Sequence, residues 1–335
     1  MKILVTGGAG FIGSNFIRHI LSKHMEYNIV NLDKLTYAGN LDNLNDVEEN
    51  PNYQFTKGDI FDSELVDELL EEKVDAVINF AAETHVDRSL YDPGVFVKTN
   101  VLGTQVLLEG CLKHKIQKFI QISTDEVYGS LGEKGKFTEE SPLMPNSPYS
   151  ASKAGADLLI RSYVKTFNLP AIITRCCNNY GPYQFPEKLI PLFITNALDD
   201  KELPIYGDGL YIRDWIYVDD HCKAIDVVLH QGKIGEIYNI SSNVEKTNLK
   251  ITQTILEDLR KPESLIMYVK DRPAHDRRYA LNANKIREEL GWEQEVSFEQ
   301  GMKLTIDWYT KNKDWWQKVK SGEYLKYYER HYIKR

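Results

Sequence analysis

Ser123-Thr124-Asp125-Glu126-Val127-Tyr128-Gly129 sets a hydroxyl and two carboxyl groups side by side. Directly before it, the apolar run Phe119-Ile120-Gln121-Ile122 reads as a buried strand. In an open parallel sheet the carboxyl ends of the strands face the ligand crevice, so these groups are placed for proton transfer. Further on, Tyr149 and Lys153 stand four apart and share one face of a helix. An ammonium on that face holds a phenol near its anionic form, which is what a base for hydride transfer from an alcohol requires. Each piece has a plainer reading alone. Thr-Asp-Glu also makes a helix N-cap with an acidic first turn, and Y-x-x-x-K is a loose pattern.

The elements before them tip the balance. Lys2–Thr6 reads as a strand, and Phe16, Ile17, Ile20 and Leu21 repeat at helical spacing. Between them lies G-x-x-G-x-x-G at Gly7, Gly10 and Gly13, with Phe11 and Ile12 inside it. A glycine turn between a strand and a helix lets backbone N–H groups approach a pyrophosphate. A second strand, 28–32, ends in Asp33. A carboxylate there accepts from ribose hydroxyls and repels a 2′-phosphate, so NAD is expected over NADP, tempered slightly by Lys34. The alternation continues with Gln54-Phe55 before Gly58-Asp59-Ile60, and with 76–80 before Ala81-Ala82-Glu83-Thr84-His85. Ala81 and Ala82 leave room for a cofactor. His85, a lone loop histidine, reads as a polar contact sooner than a base. A helix through Val97, Val101, Val106 and Leu107 then leads to the Phe119 strand.

Composition bounds the answer. The 335 residues hold 42% hydrophobic and 27% charged side chains, as ordinary globular proteins do. Net charge is −8, from 41 basic and 49 acidic residues, which argues against nucleic-acid or polybasic membrane surfaces. No apolar run approaches a membrane span. The chain opens directly into a strand, so no signal peptide is expected. Cys111, Cys176, Cys177 and Cys222 lack metal-binding spacing and read as apolar fillers in a reducing compartment, which points to the cytoplasm. No metal is expected.

The motifs at 6–13, 33–41, 81–89, 123–129, 148–154, 178–184, 213–215 and 271–276 together resemble the dTDP-glucose 4,6-dehydratase family, within the extended short-chain dehydrogenases/reductases. Ala274 stands where that family commonly has Gly, and Asn282 where it commonly has Asp. The resemblance implies an α/β doubly wound parallel (Rossmann) sheet with a smaller C-terminal α+β substrate domain. It implies dehydration of dTDP-glucose by C4 oxidation, loss of water across C5–C6 and hydride return to C6. Tyr149, Lys153 and Thr124 would serve the oxidation, Glu126 as base and Asp125 as acid the elimination. Besides the glycine turn, Asp33 and Lys34, the implied NAD contacts are Thr36, Asp59, Ile60, Ala81, Ala82, Thr84, Thr99, Ser123, Tyr149, Lys153 and Asn179. Implied substrate contacts are Thr84, His85, Thr124, Asn178, Lys188, Leu189, Pro204, Tyr206, Arg213, Asn248, Asp271, Arg272 and His275. A homodimer through the helices near 97–112 and 151–164 is also implied.

Beyond Ala171-Ile172-Ile173-Thr174 the pattern changes. The segment 178–191 is rich in Pro and aromatics, too irregular for another βα unit, and suits a wall of the sugar site. Arg213 and Arg272 suit a diphosphate, which guanidinium groups bind bidentately. The tail 308–335 reads as a packed amphipathic helix with an extension. Residues 1–177 are expected to hold NAD and 178–335 mainly the nucleotide sugar, with part of 211–240 returning to the Rossmann sheet. Two other readings keep the fold. A 4-epimerase would use the same Tyr and Lys without needing the carboxyl pair, and a non-catalytic NAD-binding regulator could lose the dyad.

Overall fold

A computed structural model describes residues 1–271, 273 and 275–320. Among these, twelve strands follow one another: β1 Lys2–Thr6, β2 Asn28–Asp33, β3 Tyr53–Lys57, β4 Ala76–Asn79, β5 Lys118–Thr124, β6 Ala171–Cys176, β7 Asn178–Tyr180, β8 Leu203–Tyr206, β9 Ile212–Tyr217, β10 Ile237–Ile240, β11 Glu245–Thr247 and β12 Ile266–Val269. Seven form one parallel sheet in the order β10-β6-β5-β4-β1-β2-β3. The order reverses between β1 and β4, which opens the crevice at their carboxyl ends.

Strands buried on both faces are mostly apolar, and among the polar exceptions here Asn79 of β4 donates to Gln121 Oε1 of β5 at 2.8 Å. One face packs Phe16, Ile17 and Ile20 of the helix Phe11–Lys23 with Ile225 and Val228 of Val218–Gln231. The other packs Val66, Leu69 and Leu70 with Leu107, Leu108 and Ile160, from helices Ser63–Glu71, Thr104–His114 and Pro148–Phe167. A separate core around Phe193, Trp215, Ile251, Tyr309 and Trp316 underlies the smaller sheets β11-β9-β7 and β12-β8.

Two segments depart from expectation. The 178–191 stretch is more regular than its composition suggests: β7 pairs in parallel with β9, and Leu189 opens the helix Leu189–Leu198. Pro191 is tolerated because it falls in the first turn, where no N–H is needed. The helix expected through Val97–Leu107 carries a π-turn over Val97–Gly103, a local widening often found beside functional sites. Here it delivers Asn100, whose amide brackets Glu83 and donates to Ser152 Oγ at 2.8 Å. The described part of the tail forms helices Phe298–Lys311 and Lys313–Val319; 321–335 lie outside the described residues. Among the described residues no helix is long and apolar enough to cross a membrane.

Candidate active site

The chemistry gathers where β5 ends. Thr124, in extended conformation, accepts from Glu126 N at 3.3 Å and so caps the short 3-10 turn Asp125–Tyr128. Its hydroxyl also donates to Asp125 Oδ1 at 3.1 Å. The trio is thus both a cap and part of the cleft wall. The two carboxyl groups differ sharply in surroundings. Asp125 is buried; desolvation, then the charges of Glu126 and Asp214, push its carboxyl well above the usual range, against Arg213 and the Thr124 hydrogen bond. Asp125 is thereby biased toward its protonated form, while Glu126 is only half-buried.

Across the cleft, Ser147 caps the helix Pro148–Phe167 through a reciprocal capping box with Ser150, and Pro148 occupies its first turn. That rigid start aims Tyr149 and Lys153 at the carboxyl end of β5. Lys153 is buried and donates to the Ile122 carbonyl at 2.6 Å. Burial lowers its pKa, and Asp157 and then Cys176 oppose the shift. The Tyr149 phenol, which Lys153 is expected to draw down with Thr124 on the same oxygen, is subject to further influences in the folded cleft. Burial, Glu126, Cys176 and Asp125 raise that phenol well above its ordinary value, and hydrogen bonding from Thr124 works the other way.

The dinucleotide end of the cleft fits its expected occupant. Gly7 has φ +70°, and a Cβ there would lie 2.6 Å from Ala81 N; one on Gly13 would lie 2.5 Å from Gly7 O. Only glycine lets the turn pack this tightly and leave its N–H groups toward the cleft. Asp33 accepts from Ala9 N at 2.9 Å and Leu35 N at 2.8 Å, so it braces the turn as well as facing the cleft. Lys34 pairs with Asp59 at 2.7 Å.

Every NAD contact expected from the sequence lines this one cleft: Gly7, Gly10, Phe11, Ile12, Gly13, Asp33, Lys34, Thr36, Asp59, Ile60, Ala81, Ala82, Thr84, Thr99, Ser123, Tyr149, Lys153 and Asn179. Of the substrate set, Thr84, Thr124, Asn178 and Lys188 line it too. Leu189 follows Lys188 as the first residue of its helix. His85 is buried at φ 81°, with Nδ1 3.8 Å from Asp87 Oδ2.

The remaining substrate residues form a second group on the smaller unit. His275 stacks on Tyr211 at 3.6 Å, hydrogen-bonds Asp271 at 2.7 Å and meets the edge of Tyr206 at 5.9 Å. Tyr206 donates to Asp87 Oδ2 at 3.4 Å, and Pro204 precedes it in β8. Asn248, at the start of the helix Asn248–Asp258, has a buried amide oxygen with no hydrogen-bond partner among the described residues. Arg213 is buried over the Tyr279 ring at 4.4 Å and donates to Ile212 O and Asp276 O. Arg272 and Ala274 lie outside the described residues. Asn282 shapes a turn, accepting from Asn284 N at 2.8 Å, away from the cleft.

Sequence reasoning missed Tyr37, Glu83, Gln184 and Glu187, which also line the cleft. It missed Asn100, Asp157 and Arg175 just behind the wall. Asp157 alone carried a signal, four residues beyond Lys153.

A doubly wound sheet with this glycine turn and a Tyr/Lys dyad beside β5 has the frame of an extended short-chain dehydrogenase/reductase. Residues 4–305 match the family model described as GDP-mannose 4,6 dehydratase. A dTDP-glucose 4,6-dehydratase of Xanthomonas campestris pv. campestris (strain B100) is 53% identical over 340 residues, 96% of each chain. The crystal structure of dTDP-glucose 4,6-dehydratase from Bacillus anthracis in complex with NAD is 54% identical, TM-score 0.90, covering 95% of this chain and 99% of that one. DesIV, a dTDP-glucose 4,6-dehydratase from Streptomyces venezuelae solved with NAD bound, is 50% identical, TM-score 0.93, covering 95% and 100%. The chain belongs to the dTDP-glucose 4,6-dehydratase group of this family.

Proposed function

We propose that the chain dehydrates dTDP-glucose to dTDP-4-keto-6-deoxyglucose, with NAD retained through turnover. NAD, when bound, accepts the hydride from C4 and returns it to C6. Tyr149 takes the proton of the C4 hydroxyl, supported by Lys153 and by Thr124 on the same oxygen. The C4 ketone acidifies the C5 proton, which Glu126 removes and later returns. Asp125 donates its proton to the departing C6 hydroxyl, which leaves as water. The proton held by Tyr149 then restores Asp125, so the sum is loss of one water. The observation that carries this reading is the divergence of two adjacent carboxyl groups, one buried and pushed upward by desolvation, the other half-buried in the cleft wall. A 4-epimerase has no use for that division.

Residues 1–177 would hold NAD, and 178–335 mainly the nucleotide sugar, with Ile237–Ile240 contributing to the large sheet. Asn178, Lys188, Leu189, Thr84 and His85 suit the sugar; Pro204, Tyr206, Arg213, Asn248, Asp271, Arg272 and His275 suit the nucleotide diphosphate. A homodimer is supported by exposed Val97, Leu102, Leu158 and Phe167 on the expected helices, and light scattering giving a monomer mass at micromolar protein would count against it. Cytoplasmic placement is supported by four free, buried cysteines.

The test is to offer dTDP-, UDP- and GDP-glucose and weigh the products. Loss of one water from dTDP-glucose is expected. A product of unchanged mass would make the enzyme an epimerase.

A further inference from the structure

Tyr149, Lys153 and Asp157 follow one another at four-residue spacing, so they share one face of the helix Pro148–Phe167. The last of them has no part in the chemistry above, yet it is 1% exposed and charged groups surround it. Arg175, on β6, donates from Nε to Asp157 Oδ2 at 2.9 Å. Its Nη1 donates to Tyr128 Oη at 2.9 Å, and Tyr128 Oη in turn donates a hydrogen bond to Asn239 Oδ1 at 2.9 Å. The pair is therefore held from β6, from the turn after β5 and from β10.

A buried ion pair is a poor source of stability in itself, since desolvating two charges offsets their attraction. This pair lies one helical turn from a buried ammonium that must keep its proton. Among the described residues the direct hydrogen-bond partner of Lys153 is the neutral Ile122 carbonyl. The groups whose charge reaches it are Asp157 and Cys176. Cys176 is a buried thiol pushed up to about 12, hence neutral at working pH. Asp157 is the remaining carboxylate. Burial pushes the Asp157 carboxyl up, and Arg175 and then Lys153 pull it back toward the charged form.

We propose that Asp157 is a positioning residue that keeps Lys153 protonated, with Arg175 as its counter-ion so that the ammonium's charge stays available to Tyr149. The three side chains carry one net positive charge. Without Asp157, burial would strip the proton from Lys153. Without Arg175, Asp157 would neutralise Lys153, and the phenolate would lose its support. Burial and then Glu126 disfavour the Tyr149 phenolate.

The inference rests on Tyr149 and Lys153 serving C4 oxidation, and its test uses that half-reaction. Holoenzyme is mixed with dTDP-glucose, and NADH formation is followed in a single turnover across pH. Asp157→Asn should move the alkaline limb, where Lys153 loses its proton, to lower pH by about one unit, a tenfold change in the amine-to-ammonium ratio. Arg175→Gln should move the same limb to higher pH and the acidic limb up with it. Asp157→Glu should restore the parental limbs. A merely structural pair predicts lower melting temperatures with unmoved limbs, and that result would overturn the proposal. If Asp157→Asn does not fold, the direction of the Arg175→Gln shift decides alone. Tyr149→Phe keeps the two readings apart. NADH formed by that variant sinks the dyad itself, whereas a dead Tyr149→Phe with parental limbs in Asp157→Asn sinks only this inference.

Discussion

Tyr37 donates its phenolic proton to Glu187 Oε1 at 3.0 Å, tying the loop after β2 to the segment that leads into the helix Leu189–Leu198. Arg88 completes the junction: its guanidinium lies 3.6 Å from the Tyr37 ring centroid while Nε donates to Glu187 Oε2 at 2.9 Å. Glu187 is 3% exposed, so three segments around the cleft meet at one buried carboxylate.

Loosening this junction should loosen NAD. Tyr37→Phe removes one hydrogen bond to a charged acceptor, worth about 1.5–3 kcal/mol. The expected outcome is faster loss of NAD on dialysis with the rate of bound-NAD reduction kept. Retention equal to the parent would place the junction outside cofactor holding.

The carboxyl pair should separate oxidation from elimination. Glu126→Gln cannot take the C5 proton and Asp125→Asn cannot donate to the C6 hydroxyl. Each should still form NADH on adding dTDP-glucose, while product formation falls by about 10²–10⁴-fold. Tyr149→Phe should lose both signals. Near-parental product from both carboxyl variants would reduce the trio to the 3-10 cap it also forms.

Asp33→Ala should weaken NAD binding by about 1–3 kcal/mol through lost buried hydrogen bonds. Because Asp33 also accepts from Ala9 N and Leu35 N, a fall in melting temperature of the cofactor-free protein should accompany it. A change in NAD affinity with no thermal effect would remove the bracing role.

Away from the cleft, Asp226 joins two helices. His19, Lys23 and His24 reach its carboxylate from the end of the first helix at 3.0, 2.8 and 3.0 Å. Burial opposes the charged form, but these hydrogen bonds outweigh it and hold the carboxyl well below its ordinary value of 3.8. A depressed folded-state value stabilises above the ordinary value and fades as pH falls through the depressed one. Asp226→Asn should therefore cost about 1–3 kcal/mol at neutral pH, a deficit that shrinks below pH ~4. Urea titrations at both pH values check the sign; an equal deficit at both would contradict it.

Residue order alone determined what is local in this protein. The glycine turn, Asp33 at the end of β2 and the four-residue spacing of Tyr149 and Lys153 act within a few residues, through backbone freedom and helix geometry, and all of them line one cleft. Tertiary structure decided what depends on distant charge and burial. Burial first, then Glu126 and Asp214, push the Asp125 carboxyl up, and Asp214 arrives from β9. Burial in the assembled cleft, then Glu126 from the turn after β5, pushes the Tyr149 phenol up. The 178–191 stretch, irregular by composition, pairs as β7 only because β9 offers it an edge. Asp157 reads as one more acidic helix residue until β6 brings Arg175 to 2.9 Å from it. Pairing and desolvation need partners that folding alone brings together.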